Sequence, residues 1–235
     1  MLQDLDFSSY FLSSDDAIMQ LVDILPKNRM QTDNWMLIAT NEQAIPMTEK
    51  LSTNLELEYD IIFNEPILSP NNSECEIAIV SETEEIVIDE ALIYSFEISL
   101  DYVYGQAKRI YDEKIMPKIY KYRKGEILNS LKNRNVMFVD FGSETGFNAV
   151  SCIKSAIRAE SKSVIYATPV MAQDVYESLE MIADEVFCVK KILNFVNVDF
   201  YYKNMQKVSQ DDIIEVLNNS KGYLPFVKNR SDDGI

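Results

Sequence analysis

The stretch NVMFVDFGSETGFNAVSCIKSAI, residues 135–157, decides the fold. Val136 to Val139 form an apolar run of the length of a buried strand. Asp140 then opens a polar turn through Gly142, Ser143, Glu144, Thr145 and Gly146, after which Ala149, Cys152, Ile153 and Ala156 recur at helical spacing. This predicts a strand, a tight turn and a helix, with Asp140 at the strand's carboxyl end and Gly146 opening the helix. Such a turn is suited to anions, because the first amides of a helix are unpaired and its dipole is positive there. Glu144 sets a carboxylate inside it, so the turn reads either as a phosphate cradle or as the remains of one.

Working outward, the same alternation repeats. NWMLIAT (34–40) and EYDIIF (58–63) are strand-length runs around a short helix in AIPMTEKLSTNL (44–55), and SVIYATPV (163–170) and DEVFCV (184–189) follow the motif with a helix near 172–182. Residues 14–24 carry Ser14, Asp15 and Asp16 before an amphipathic pattern that ends at Pro26. PILSPNNSE (66–74) reads as a loop. CEIAIVSETEEIVID (75–89) reads as a hairpin turning at SETEE. Residues 97–124 read as a long helix or helix pair, weakened at Gly105 and Pro117. The expected fold is α/β: a twisted, mainly parallel sheet flanked by helices, with a small hairpin insertion. The whole chain, 1–235, reads as one domain with its core at about 34–217, the first helix and the C-terminal tail being appended. Ligands of such sheets sit beyond the carboxyl ends of the strands.

Composition narrows the chemistry. The chain has no histidine, which removes the commonest general base and most zinc chemistry; no metal site is expected from its residue clusters. Cys75, Cys152 and Cys188 are widely spaced and odd in number, so they read as buried thiols. Net charge is −16. Residues 1–104 hold only Lys27, Arg29 and Lys50 against 21 acidic side chains, leaving roughly −18 on that part and near neutrality on the rest. Such a field opposes nucleic acid and anionic membranes, and no run approaches membrane-spanning length; a cytoplasmic protein is expected. The acidic part would repel a second copy of itself and any polyanion but offers a complementary surface to a basic protein; a protein partner or a homo-oligomer is expected.

The motif resembles the PRPP-binding motif of the type I phosphoribosyltransferases, four apolar residues followed by a pattern such as V-D-D-G-x-A-T-G-x-T. SVIYATPVMAQDVYESLEMIADEVFCV (163–189), PNNSECEIAIVSETEEIVIDE (70–90) and YRKG (122–125) are similar to the following strand-helix-strand, the hairpin and the pre-motif segment of one bacterial branch. The resemblance covers roughly 34–217. It implies Mg²⁺-assisted transfer of a ribose 5-phosphate between PRPP and a nucleobase, and each part of that site can be checked on the chain.

In the family two adjacent acidic residues hold the ribose hydroxyls; here Asp140 is followed by Phe141. The resemblance makes Ser143, Thr145, Gly146, Phe147 and Asn148 the 5-phosphate loop. It gives Glu144 the place of a carboxylate that, in purine-type members, assists proton transfer at the base, so Asp140 and Glu144 are the catalytic candidates of an active enzyme. The pyrophosphate loop, glycine-bearing in the family, corresponds to Thr40, Asn41, Glu42 and Gln43, and Glu65 and Pro66 stand where two cations would. Lys121 and Arg123, in the basic cluster 113–126, are candidates for a segment folding over the site, against the alternative that the cluster docks on the acidic half. The expectation is a degenerate member acting as a regulatory, ligand-sensing or scaffold subunit, with Glu42, Glu65 and the SETEE turn at the rim of a docking surface. The alternative is an active enzyme with Mg²⁺ as cofactor and a phosphorylated ribose as ligand.

Overall fold

The computed structural model describes residues 10–205 and 208–226. The far end of the C-terminal tail therefore lies outside the described residues. The main sheet contains β1 (Trp35–Ala39), β2 (Tyr59–Ile61), β6 (Asn135–Val139), β7 (Ser163–Ala172) and β8 (Glu185–Ile192) in the order β2-β1-β6-β7-β8, all parallel. Strands β1 and β6 are buried along their whole length, because helices cover both faces, which is why they read as continuous apolar runs. Alternate side chains divide between two cores. Leu37, Met137 and Ile165 face one, Ile38, Phe138 and Tyr166 the other.

Helices α7 (Phe147–Arg158) and α8 (Gln173–Leu179) cover the second face. On the first lie α1 (Ser14–Ile24) and α3 (Ile45–Leu55), while α2 (Lys27–Thr32) packs against α3 and β1. Ser13 caps α1 by accepting from the amide of Asp16, and α1 packs against α3, β7 and β8. The predicted helix over 97–124 is α5 (Leu100–Ile110) running through a π-helical stretch, Tyr111–Ile115, into α6 (Met116–Arg123). Gly105 sits inside α5 without breaking it, and Pro117 falls in the first turn of α6, where its missing N–H costs little. A short α4 (Glu90–Ser95) precedes them, and α9 (Gln210–Asn219) packs on α3.

The insertion is larger than its sequence suggested. Residues read as a loop at 66–74 form most of β3 (Asn64–Ser69) and the start of β4 (Asn72–Ser81), so the hairpin of β4 and β5 (Ile86–Ile88) becomes a three-stranded antiparallel sheet. Pro66 and the polar run hid the strand. Its inward positions are Glu65, Ile67 and Ser69, and the first of these is made tolerable only by a cation from another element. No helix among the described residues is long and apolar enough to cross a membrane.

Candidate functional site

Asp140 follows the last residue of β6, and Gly146 is the N-terminal cap of α7, with φ of 75°. A Cβ at Gly146 would meet Val175 Cγ1 at 2.9 Å, so both the left-handed torsion and the close approach of α8 require glycine. The turn between them opens onto a cleft of about 700 Å³ whose lining includes Asp140, Ser143 to Asn148 and, from the insertion, Glu74, Cys75, Glu76 and Asp89. The cleft thus lies at the carboxyl end of a central strand, where sheets of this kind leave room for ligands.

What the side chains do there is another matter. The Asp140 carboxylate is buried and faces inward. Oδ1 accepts from the Phe141 amide at 2.7 Å and from Asn41 Nδ2 at 3.2 Å; Oδ2 accepts from the Tyr166 hydroxyl at 2.7 Å and from Asn148 Nδ2 at 3.4 Å. Four donors occupy its lone pairs. Burial, and then the Asp140 charge, push the Tyr166 hydroxyl far above the usual tyrosine range, so it is a permanent donor. Both oxygens of Asp140, the acidic residue that the resemblance sets beside the ribose, are already bonded within the protein.

The phosphate loop is similarly committed. The Ser143 amide donates to the Val170 carbonyl at 3.1 Å and its carbonyl accepts from Ala172, tying the turn to the extended end of β7. The Asn148 amide is committed within the protein, donating to Asp140 and to the Thr40 carbonyl while its Oδ1 accepts from Asn64 Nδ2 at 2.9 Å. Phe147 is half-buried at the cleft wall. Thr145 and Glu144 remain exposed. Phe141 fills the position beside Asp140 by stacking on Tyr202 at 4.3 Å between centroids, and the Tyr202 hydroxyl donates to the Phe141 carbonyl at 2.6 Å. The carboxylates left facing the cleft are those of Glu74, Glu76, Asp89 and Glu144, and no Lys or Arg lines it among the described residues. Partial desolvation, with the nearby Glu144 charge adding to it, raises the pKa of Glu76.

At the end of β1 the loop Thr40, Asn41, Glu42 and Gln43 is also spoken for. Thr40 is buried and bonds Val139; Asn41 caps a short 3₁₀ turn, Glu42–Ala44, by accepting from the Ala44 amide at 3.0 Å; Gln43 exchanges hydrogen bonds with the backbone of Val208. Glu42 does not stand at an open rim. Lys118 Nζ lies 2.7 Å from Glu42 and 2.6 Å from Glu65, and Lys114 approaches Glu65 at 3.5 Å. Desolvation lowers the pKa of Lys118, but the two carboxylates outweigh it and the net shift is upward.

The basic cluster therefore docks on the chain's own acidic half. Arg123 does not cover the cleft: its side chain is fully buried and paired with Glu82, over the ring of Phe63. Burial pushes Glu82 up to about 7 despite the pull of Arg123. Lys121 donates to Gln210 and lies over Tyr122. Sequence reasoning missed Lys118 and Tyr166 as partners. The one available signal was the i, i+4 spacing of Lys114 and Lys118 on a helix facing a strand with an inward Glu65.

No family model matches the chain, and no curated protein matches it. Among solved structures it is similar to TT1426 from Thermus thermophilus, with a TM-score of 0.70 and 22% identity over 88% of this chain and 97% of that one, which shows a shared fold. Looser likenesses, which carry no further weight, are a hypoxanthine phosphoribosyltransferase from Staphylococcus aureus (TM-score 0.44, 11% identity, 82% of this chain and 83% of that one) and a hypothetical protein from Neisseria gonorrhoeae with bound ppGpp (0.46, 13%, 90% and 94%). The protein is thus an α/β protein with a parallel five-stranded sheet, a three-stranded antiparallel insertion and a carboxylate-lined cleft at the strand ends.

Proposed function

We propose that this chain is a catalytically degenerate phosphoribosyltransferase-like protein that works as a regulatory or scaffold subunit through protein contacts. The observation that carries this reading is the Asp140 carboxylate, whose two oxygens already accept from four internal donors. A ribose diol needs such a carboxylate as acceptor; here binding one would first require breaking a buried, charge-assisted network. The cleft itself supports the same reading. A phosphate 4 Å from one carboxylate is disfavoured by about 4 kcal/mol at an effective dielectric near 20, and several carboxylates face the space. A basic group of a partner protein suits that field better than a phosphorylated ribose.

The test is incubation of the protein with PRPP, Mg²⁺ and a panel of nucleobases, measuring pyrophosphate release, alongside calorimetric titration of PRPP. Neither turnover nor binding is expected. Pyrophosphate release that disappears in Glu144→Ala would establish the active enzyme instead, with Mg²⁺ as its cofactor.

A further inference from the structure

A second pocket, of about 410 Å³, lies between α5 and the insertion, at the opposite end of β4 and β5 from the cleft. Its base is apolar. Val80 and Ile86 are register partners on one face of the three-stranded sheet, and Ala107 meets them from α5. Val80 and Ala107 are buried and Ile86 is half-buried. Two aromatic side chains of the helix, Tyr104 and Tyr111, line the same space, Tyr104 with 53% of its surface exposed. Small-molecule sites have this make-up, an apolar base with a few polar groups in a volume of about 300–1,000 Å³.

The helix is altered at this point. Its buried stripe runs Val103, Ala107, Ile110, Ile115, Ile119 and Tyr122, so one step spans five residues where an α-helix allows three or four. The π-helical stretch Tyr111–Ile115 takes up the extra residue. Such turns recur at functional sites, and this one supplies Tyr111 and Asp112 to the pocket.

The charges around the pocket are an independent observation. Lys108 and Asp112 stand four apart on the helix, the spacing that pairs Arg109 with Glu113 at 3.6 Å one residue further on, yet they form no ion pair. Glu84, on the turn between β4 and β5, has none either, although Glu85 beside it pairs with Arg158. All three of these exposed side chains line the pocket, and none makes a hydrogen bond among the described residues. Partial burial, and then the charges of Glu84 and Glu82, raise the pKa of the Tyr111 hydroxyl, which therefore stays a donor.

Unpaired charges of both signs around an apolar base suit a ligand that carries both. We propose that this pocket binds a free α-amino acid with an aromatic side chain, its ring against Val80, Ile86 and Ala107, its ammonium toward Glu84 and Asp112 and its carboxylate toward Lys108. An amine alone would leave Lys108 repelling it, and a carboxylate alone would meet two like charges. The site is separate from the cleft and does not depend on the reading of Asp140.

The experiment is calorimetric titration of the full chain with L-phenylalanine, with 2-phenylethylamine, which lacks the carboxylate, and with 3-phenylpropionate, which lacks the ammonium. Phenylalanine is expected to saturate with a dissociation constant of about 0.1–1 mM, at least about fivefold tighter than either analogue. Tyr104→Ala should weaken phenylalanine about fivefold through the lost aromatic contact. Lys108→Met should weaken phenylalanine without weakening 2-phenylethylamine, and Glu84→Gln/Asp112→Asn should weaken it without weakening 3-phenylpropionate. These positions are exposed, and circular dichroism of the variants separates a lost site from a lost fold. No saturable heat up to about 10 mM phenylalanine, an analogue that binds as tightly, or an affinity unmoved by Tyr104→Ala and Lys108→Met would overturn the proposal.

Discussion

Replacing Lys118 by methionine keeps the length of the side chain and deletes its charge, leaving Glu42 and Glu65 facing each other across the end of β1. The ammonium lies within 2.7 Å of both carboxylates, with side-chain exposures of 27% for Lys118, 23% for Glu42 and 11% for Glu65. At an effective dielectric near 20 each contact is worth about 4 kcal/mol gross, most of which is offset by stripping water from the ions. Removing one partner of a buried pair nevertheless costs about 3–5 kcal/mol, because the remaining charge is stranded. Here Lys114, 3.5 Å from Glu65, and residual water reduce this to about 2–3 kcal/mol. For a chain of this length that lowers Tm by about 5–10 °C in a calorimetric or circular-dichroism melt. In a Glu42→Gln/Glu65→Gln background the same Lys118→Met change should cost under about 1 kcal/mol, since no charge is left stranded. An equal loss in both backgrounds, or an unchanged Tm in the wild-type background, would show that Lys118 acts by packing and that the loop is not closed by charge.

Asp140→Asn should destabilise the fold by about 2–3 kcal/mol in denaturant titration, because an amide offers one acceptor oxygen to four donors and turns its own N–H groups on the rest; a ribose-binding carboxylate free in the cleft would tolerate the change. On acidification, Asp16 should contribute to the loss of stability: its pKa is lowered, first by the Leu12 amide and then by Gln20, so its contribution is present above the ordinary carboxylate range and is lost as pH falls through the depressed value. Comparing urea midpoints of wild type and Asp16→Asn between pH 7 and pH 3 checks this, the difference between them shrinking at the acid end.

The alternation of apolar runs with helical spacing was enough to settle the sheet, its parallel sense and the position of the turn after Asp140, because a strand buried on both faces must be apolar throughout and a helix must show its core every three or four residues. The end of β6 and the start of α7 follow from Asp140 and Gly146 on that local basis. The strand β3 escaped because Pro66 and the polar run after it read as a loop, and nothing local shows that its inward Glu65 will meet Lys118, far along the chain. The same holds at the site. Lys118 and Glu42 are 76 residues apart, Tyr166 and Asp140 are 26 apart, and Arg123 and Glu82 are 41 apart. Nothing local in the sequence distinguishes a carboxylate that awaits a ligand from one whose lone pairs are filled from another strand. That distinction is made by tertiary packing, which here filled the acceptor sites of Asp140, tied Asn148 to Thr40 and Asn64, buried Arg123, and set Glu74, Glu76, Asp89 and Glu144 around the cleft.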